Sequence, residues 1–104
     1  MKRIGLIGCG AIGSLIAKAV DEGKINAELV YVYDSRREAA LKLVEKLRSK
    51  PKILEGIEEM LRDRRLSIIV EAASDEAVLE YLKPIIEAGK EVLVMSIGGL
   101  LFPE

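Results

Sequence analysis

The sequence predicts an α/β fold: a three-layer, doubly wound parallel sheet with strand order 3-2-1-4-5, forming a single domain over residues 1–104. Strand-like apolar runs alternate with helix-like amphipathic segments along the chain. Right-handed crossovers stack such an alternation into a parallel sheet with helices on both faces. Three glycines, Gly8, Gly10 and Gly13, follow the first apolar run directly, and 50% of the residues are hydrophobic, which is enough for a packed core.

The first two strands flank the first helix. Arg3–Ile7 is a short apolar run, and Ala11–Glu22 is an alanine-rich segment that Gly23 is suited to end. Leu29–Tyr33 is rich in β-branched and aromatic residues and predicts the second strand.

A second helix is predicted between Ser35 and Pro51. Ser35 is expected to be its N-cap, with Glu38 three residues later completing a capping box. Apolar residues recur at helical spacing within it: Ala39, Ala40, Leu43, Val44 and Leu47.

The remaining elements continue the alternation. Lys52–Leu54 is a short strand, Gly56–Arg64 a short helix, and Leu66–Ala72 a continuous apolar run typical of a buried strand. Asp75–Ala88 is the last helix, and Val92–Met95 is the fifth strand.

The glycines follow the G-x-G-x-x-G spacing of Rossmann dinucleotide-binding domains, between a strand and a helix as that motif requires. Gly8 permits the turn, Gly10 allows close approach to a pyrophosphate, and Gly13 allows the helix to pack on the sheet. The backbone N–H groups at the start of the helix, those of Gly10, Ala11 and Ile12, are expected to bind phosphate.

Asp34 ends the second strand 21 positions after Gly13, where such domains carry an acid that binds the adenosine ribose. Because a carboxylate there repels a 2′-phosphate, we expect NAD to be preferred and NADP to be tolerated. Ser35 and Arg36 are expected to lie at the same site. Arg36 and Arg37 either contact a 2′-phosphate or adenine, or stay in solvent.

Ala72, Ala73 and Ser74 follow the fourth strand and should face the glycine loop across the ligand crevice. Their small side chains leave room for the cofactor, and Ser74 is either a cap and a ligand or a cap alone.

Several other residues have two interpretations. Cys9 lies where a helix N-terminus favours a thiolate, but a small filler between glycines is the preferred reading. Glu71 either has a partner in the buried strand or marks its exposed end, and it receives no role. Tyr31, Tyr33 and Tyr81 are expected to be core or helix-packing residues rather than a base-stacking set.

The sequence resembles the N-terminal cofactor domain of archaeal-type L-aspartate dehydrogenase, and homoserine dehydrogenase has similar segments. The matching segments are Gly5–Gly13, Val70–Ser74, Ala77-Val78 and Val94–Gly98. The resemblance implies oxidation of L-aspartate to iminoaspartate with NAD or NADP, release of ammonia, and a place in NAD biosynthesis. It also implies that Ser96 and Gly98 border the nicotinamide, unless they form a plain turn.

The same family carries its substrate contacts and a catalytic histidine on a second domain, whereas these 104 residues contain no histidine. We therefore assign no catalytic residue and expect the substrate domain to be absent from this chain. The chain is then a fragment, one product of a split gene, or a domain repurposed for binding. The alternative functions are a non-catalytic nucleotide-sensing Rossmann module and, by the same resemblance, the NAD-binding half of a homoserine-dehydrogenase-like enzyme.

Composition narrows the other classes. The net charge of −1 and the scarcity of aromatics argue against nucleic acid, and no apolar run approaches the ~20 residues of a membrane span. A single cysteine fits a reducing, cytoplasmic setting, and no metal site is predicted. The lack of threonine and glutamine, with one asparagine, suggests a thermophile source. Leu100, Leu101 and Phe102 favour a homodimer or the docking of a missing domain.

Overall fold

The computed structural model describes residues 1–73 and 75–95, the side chains of residues 75–79 excepted. The strands are β1 Lys2–Ile7, β2 Ala27–Tyr33, β3 Lys52–Ile53, β4 Ile68–Glu71 and β5 Glu91–Val94. The helices are α1 Ala11–Asp21, α2 Arg37–Glu45, α3 Glu58–Arg62 and α4 Asp75–Glu87.

The five strands form one parallel sheet in the order β3-β2-β1-β4-β5, which confirms the predicted topology. Ile7, the last residue of β1, pairs with Tyr33 on one side and with Glu71 on the other. The carboxyl ends of β1, β2 and β4 therefore lie side by side. The backbone continues this alignment beyond the strands, because Gly8 N donates to Tyr33 O and Ala72 N donates to Ile7 O, both at 2.8 Å.

Each face of the sheet has its own apolar core, as the alternation of side chains along a strand requires. Leu6 and Val32 are fully buried in the cluster that includes Ala17 of α1 and Leu43 of α2. On the other face, Ile7 and Ile69 belong to the cluster that holds Met60 of α3 and Ile85 of α4. Each such side chain contributes about 1.5–3 kcal/mol on burial, so these two layers provide most of the driving force for folding.

The predicted capping box of α2 is wrong. The N-cap is Arg36, with no side-chain hydrogen bond at the cap, and the helix begins at Arg37. The Asp34 carboxylate accepts the Arg36 N–H at 2.8 Å, and this local turn keeps residues 34–36 out of the helix.

The predicted end of α2 is also wrong, because the helix ends at Glu45 rather than at Pro51. The carboxylate of Asp21, at the end of α1, accepts the N–H groups of Arg48 and Ser49 at 2.8 and 3.0 Å. The Lys50 ammonium donates to the carbonyl of Val44 at 3.0 Å. These contacts replace the helical hydrogen bonds that the sequence pattern alone predicts.

Within the described part of the chain, none of the helices combines the length and the apolar character that crossing a membrane would demand.

Candidate functional site

A cleft of about 250 Å³ opens at the carboxyl edge of the sheet, where β1 lies between β2 and β4. The chain runs from β1 towards one edge of the sheet and later returns to the other, and ligands of doubly wound sheets bind at that switch point. Ten residues line the cleft: Ile7, Gly8, Gly10, Tyr33, Asp34, Ser35, Arg36, Ala72, Ala73 and Tyr81. Seven of them are among the residues predicted from the sequence.

The glycine loop is held against its surroundings by backbone contacts. Gly8 has a φ of +99°, and a Cβ added to it would lie 2.6 Å from the backbone of Ala72 and Ala73. A Cβ added to Gly13 would lie 1.9 Å from the carbonyl oxygen of Gly8. Any side chain at either position would push apart β1, α1 and the turn after β4.

Gly10 faces open space instead. Among the described residues, no atom lies within 4 Å of a Cβ added to it, so the loop backbone is accessible at that position. Gly10 is the N-cap of α1, and the first bond within the helix runs from Ser14 N to Gly10 O at 2.8 Å.

The N–H groups of Ala11, Ile12 and Gly13 precede the first helical hydrogen bond and have no acceptor inside α1. The first turn of α1 carries no acidic residue, so no side chain of the turn itself offsets the positive end of the helix dipole. An open backbone beside these donors fits an anionic pyrophosphate.

Asp34 joins the two loops on the β2 side of the cleft. Its Oδ2 accepts the Cys9 N–H at 2.7 Å, and its Oδ1 accepts the Arg36 N–H at 2.8 Å. Each carboxylate oxygen keeps a second lone pair, so the half-buried side chain can accept further hydrogen bonds from a ligand in the cleft. Ser35 and Arg36 line the cleft as exposed residues, whereas Arg37 lines a neighbouring groove with Lys52 and Arg62.

Cys9 is buried, with its Sγ 3.9 Å from the carbonyl oxygen of Tyr33. Burial, and secondarily the charge of Asp34, raises the pKa of the thiol to about 12. The thiol is therefore protonated at neutral pH, in agreement with its preferred reading as a small filler.

The wall opposite Asp34 is the turn after β4. Ala72 and Ala73 are half-buried and line the cleft. Glu71 is fully buried, so the alternative that it marks the exposed end of the strand is wrong. Its Oε2 accepts the Ala73 N–H at 3.0 Å. Three further predicted residues, Ser74, Ser96 and Gly98, lie outside the described residues.

Two tyrosines contribute to the cleft that the sequence did not predict there. Tyr33 and Tyr81 pack edge to face, with ring centroids 6.2 Å apart and an interplanar angle of 80°. Burial and a hydrogen bond with Tyr33 raise the pKa of Tyr81 to about 12, so its hydroxyl keeps its proton. Tyr31 is buried in the core, as expected, and its hydroxyl donates to Asp63 at 2.6 Å.

The described residues contain no group of three or more acidic or cysteine side chains that could hold a metal ion. Among the described residues, the groups that the cleft offers to a ligand are backbone N–H donors, the Asp34 carboxylate, the Ser35 hydroxyl, the Arg36 guanidinium and two tyrosine rings.

Comparison with known proteins shows the family to which the chain belongs. The family model described as "Homoserine dehydrogenase, NAD binding domain" matches residues 8–104. An L-aspartate dehydrogenase of Nitrosopumilus maritimus is 42% identical over 101 residues, which is 97% of this chain and 37% of that protein. An L-aspartate dehydrogenase of Methanosarcina barkeri is 41% identical over 100 residues, which is 96% of this chain and 36% of that protein. The chain thus spans a little over a third of the length of these relatives.

The fold also matches solved dehydrogenases. The crystal structure of myo-inositol dehydrogenase from Lactobacillus casei, in complex with NAD(H) and myo-inositol, superposes with a TM-score of 0.84 at 21% identity. That superposition covers 90% of this chain and 28% of the other. The match to the family model over residues 8–104 shows that the chain belongs to the family of NAD-binding domains described for homoserine dehydrogenase.

Proposed function

We propose that this chain is the cofactor-binding part of an L-aspartate dehydrogenase, and that it binds NAD in the cleft at the carboxyl ends of β1, β2 and β4. The identity of about 40% to L-aspartate dehydrogenases supports the substrate. One observation supports the cofactor site most directly: the accessible N-terminus of α1 and the Asp34 carboxylate lie side by side. They are joined by the hydrogen bond from the Cys9 N–H to Asp34.

The pyrophosphate lies over Gly10 in this proposal. It is bound by N–H groups at the start of α1 that have no acceptor inside the helix, those of Ala11 and Ile12, as expected from the sequence, and that of Gly13 in place of Gly10. Gly8 and Gly13 do not contact the ligand through side chains. They allow α1 to begin close enough to β1 for these donors to face the cleft.

The adenosine ribose lies against Asp34, which uses its remaining lone pairs to accept hydrogen bonds from the two hydroxyls. The negative charge of Asp34 disfavours a 2′-phosphate, so the domain prefers NAD and accepts NADP less well. Ser35 and Arg36 border the adenosine. The exposed guanidinium of Arg36 is free to turn towards a 2′-phosphate, which accounts for the residual tolerance of NADP.

Ala72 and Ala73 form the opposite wall. For Ser74, Ser96 and Gly98, which lie outside the described residues, a role in binding the cofactor is proposed on the resemblance to L-aspartate dehydrogenase alone. Bound nicotinamide supplies the hydride acceptor for oxidation of the substrate carbon. The residues of this chain bind and orient the cofactor. Acid–base groups and substrate contacts come from a further domain or partner chain, since the relatives are more than twice as long.

We place this reaction in the cytoplasm, where Cys9 remains reduced, and within NAD biosynthesis. Association as a homodimer remains a prediction, which light scattering checks directly.

The test has two stages. Titration calorimetry of the chain with NAD and with NADP should give binding of both and tighter binding of NAD. Turnover of L-aspartate should then appear only when the chain is joined to, or mixed with, the remaining two thirds of a relative such as the Methanosarcina barkeri enzyme. The absence of binding to either nucleotide would contradict the cofactor assignment. Binding without turnover in any such combination would contradict the enzymatic one.

A further inference from the structure

Glu71 is the one charged side chain that is fully buried among the described residues, and it stands in a strand that is otherwise apolar, Ile68–Glu71. Burying a carboxylate costs free energy, and an apolar residue of similar volume is often at least as stable at such a position. The presence of Glu71 at the end of β4 therefore calls for a role other than packing.

The contacts of Glu71 lead to the cofactor cleft. Its Oε2 accepts the N–H of Ala73, two residues along the chain. The same Ala73 nitrogen lies 2.6 Å from the Cβ position of Gly8, at the tightest approach between the two loops. Glu71 is thus hydrogen-bonded to the amide that leaves no room for a side chain at Gly8.

Because Gly8 and Ala73 lie next to each other and both line the cleft, the position of the Ala72-Ala73 turn determines how the wall opposite Asp34 meets the glycine loop. We propose that Glu71 is a positioning residue: its buried carboxylate holds the Ala72-Ala73 turn in the position in which the cleft admits a dinucleotide. This inference deepens the proposed NAD site and rests on it for its binding readout.

Glu71→Met tests the inference, since methionine has a similar volume and no strong acceptor. The dissociation constant for NAD should rise about tenfold, the effect of losing one hydrogen bond to a charged group. The ligand-free protein should still fold, with a melting temperature lowered by a few degrees, because the Ala73 N–H loses its acceptor. In ligand-free protein, hydrogen exchange at the Ala73 amide should accelerate at least about tenfold.

Two controls separate positioning from general packing. Glu71→Gln keeps an acceptor oxygen and should retain both the NAD affinity, within about threefold, and the Ala73 protection. Ile69→Met places the same new side chain on the same strand and face, where Ile69 is fully buried, and should leave the NAD affinity within about threefold of the original.

The inference is overturned if Glu71→Met keeps both the affinity and the Ala73 protection, or if Ile69→Met lowers the affinity equally. A tenfold loss in Glu71→Gln with Ala73 still protected would overturn it as well. Unfolding of both Glu71→Met and Glu71→Leu would assign Glu71 to stability instead. If the unsubstituted chain binds no NAD, the proposed function fails, and the Ala73 exchange rate still decides the role of Glu71.

Discussion

Asp34 offers the sharpest test of the proposed site, because its carboxylate accepts two backbone hydrogen bonds and, in the proposal, its charge sets the preference for NAD over NADP. In Asp34→Asn the side chain keeps its shape but has only one acceptor oxygen. Cys9 is buried and Arg36 is exposed, so the amide oxygen of the new side chain should stay on the Cys9 N–H and its NH₂ should turn towards Arg36. The Arg36 N–H can then bond to water, so we expect a stability loss of only about 1 kcal/mol.

The effect of Asp34→Asn on the cofactors should be larger and opposite in sign for the two nucleotides. Replacing charge-assisted hydrogen bonds to the ribose hydroxyls with neutral ones costs about 1.4 kcal/mol, or about tenfold in NAD affinity. Removal of one unit charge at ~4 Å in water relieves ~1 kcal/mol for each charge on a 2′-phosphate, so NADP should bind about tenfold more tightly. The preference for NAD over NADP should therefore fall by about 100-fold.

Calorimetric titration of both nucleotides measures this change, and Asp21→Asn is the matched control. Asp21 also accepts two backbone N–H groups, those of Arg48 and Ser49, but it lies at the far end of α1 from the cleft. Asp21→Asn should lower the stability of the chain and leave the preference for NAD over NADP unchanged. A preference that stays within about threefold in Asp34→Asn would refute the electrostatic argument.

The remaining predictions concern the loop, the thiol and the pH dependence. Gly10→Ala should melt like the unsubstituted chain, because a Cβ there meets only open space among the described residues, and it should lose NAD affinity, because that space is where the proposed pyrophosphate lies. Gly13→Ala should unfold, because its Cβ would lie 1.9 Å from Gly8 O. Equal melting temperatures of the two variants would contradict this prediction. Cys9 should resist iodoacetamide at pH 8 until urea unfolds the chain, since its pKa is raised to about 12; mass spectrometry of the native protein checks this, and rapid alkylation would contradict it. The hydrogen bond from the Tyr31 hydroxyl, and secondarily that from the Arg65 N–H, lowers the pKa of Asp63 below 3.8. Asp63 therefore stabilises the fold fully above its unfolded pKa, and this contribution is lost as the pH falls through its lower folded pKa. Tyr31→Phe should therefore flatten the loss of stability in urea titrations between about pH 5 and 2, and an unchanged slope would count against the Tyr31–Asp63 bond.

The sheet and the β1 to β2 side of the cleft were predictable because their signals are local. The glycine spacing of Gly8, Gly10 and Gly13 and the acid at Asp34 each have a mechanical reason that needs only the neighbouring strand and helix. The predicted strand order followed from handedness and the alternation of elements, and the structure confirms it.

The errors arose where distant residues compete for backbone groups. Asp21 binds the N–H groups of Arg48 and Ser49, more than 25 positions later, and no local pattern announces that α2 ends at Glu45. At the start of α2, the Asp34 carboxylate accepts the Arg36 N–H, a local hydrogen bond that the capping-box pattern does not indicate. That bond displaces the capping box expected at Ser35.

The set of residues predicted to line the cleft was incomplete for the same reason. Tyr33 and Tyr81 are 48 positions apart, and only the crossover from β4 to β5 brings α4 beneath the end of β2. Sequence reasoning therefore identified the packing of these rings and missed the surface they present to the cleft.

In the proposed NAD site, the arrangement of charges lets a small set of residues select an asymmetric ligand. The donors at the start of α1 attract negative charge, while Asp34, tied to the preceding Cys9 N–H, repels it and accepts hydroxyl groups. These opposite demands lie next to each other, so a suitable ligand must carry its anionic group directly beside neutral hydroxyls. A pyrophosphate linked to a free ribose meets both demands, whereas a phosphate on that ribose meets only the first. The polarity of the loop thus restricts both the identity of the nucleotide and the direction in which it lies across the sheet.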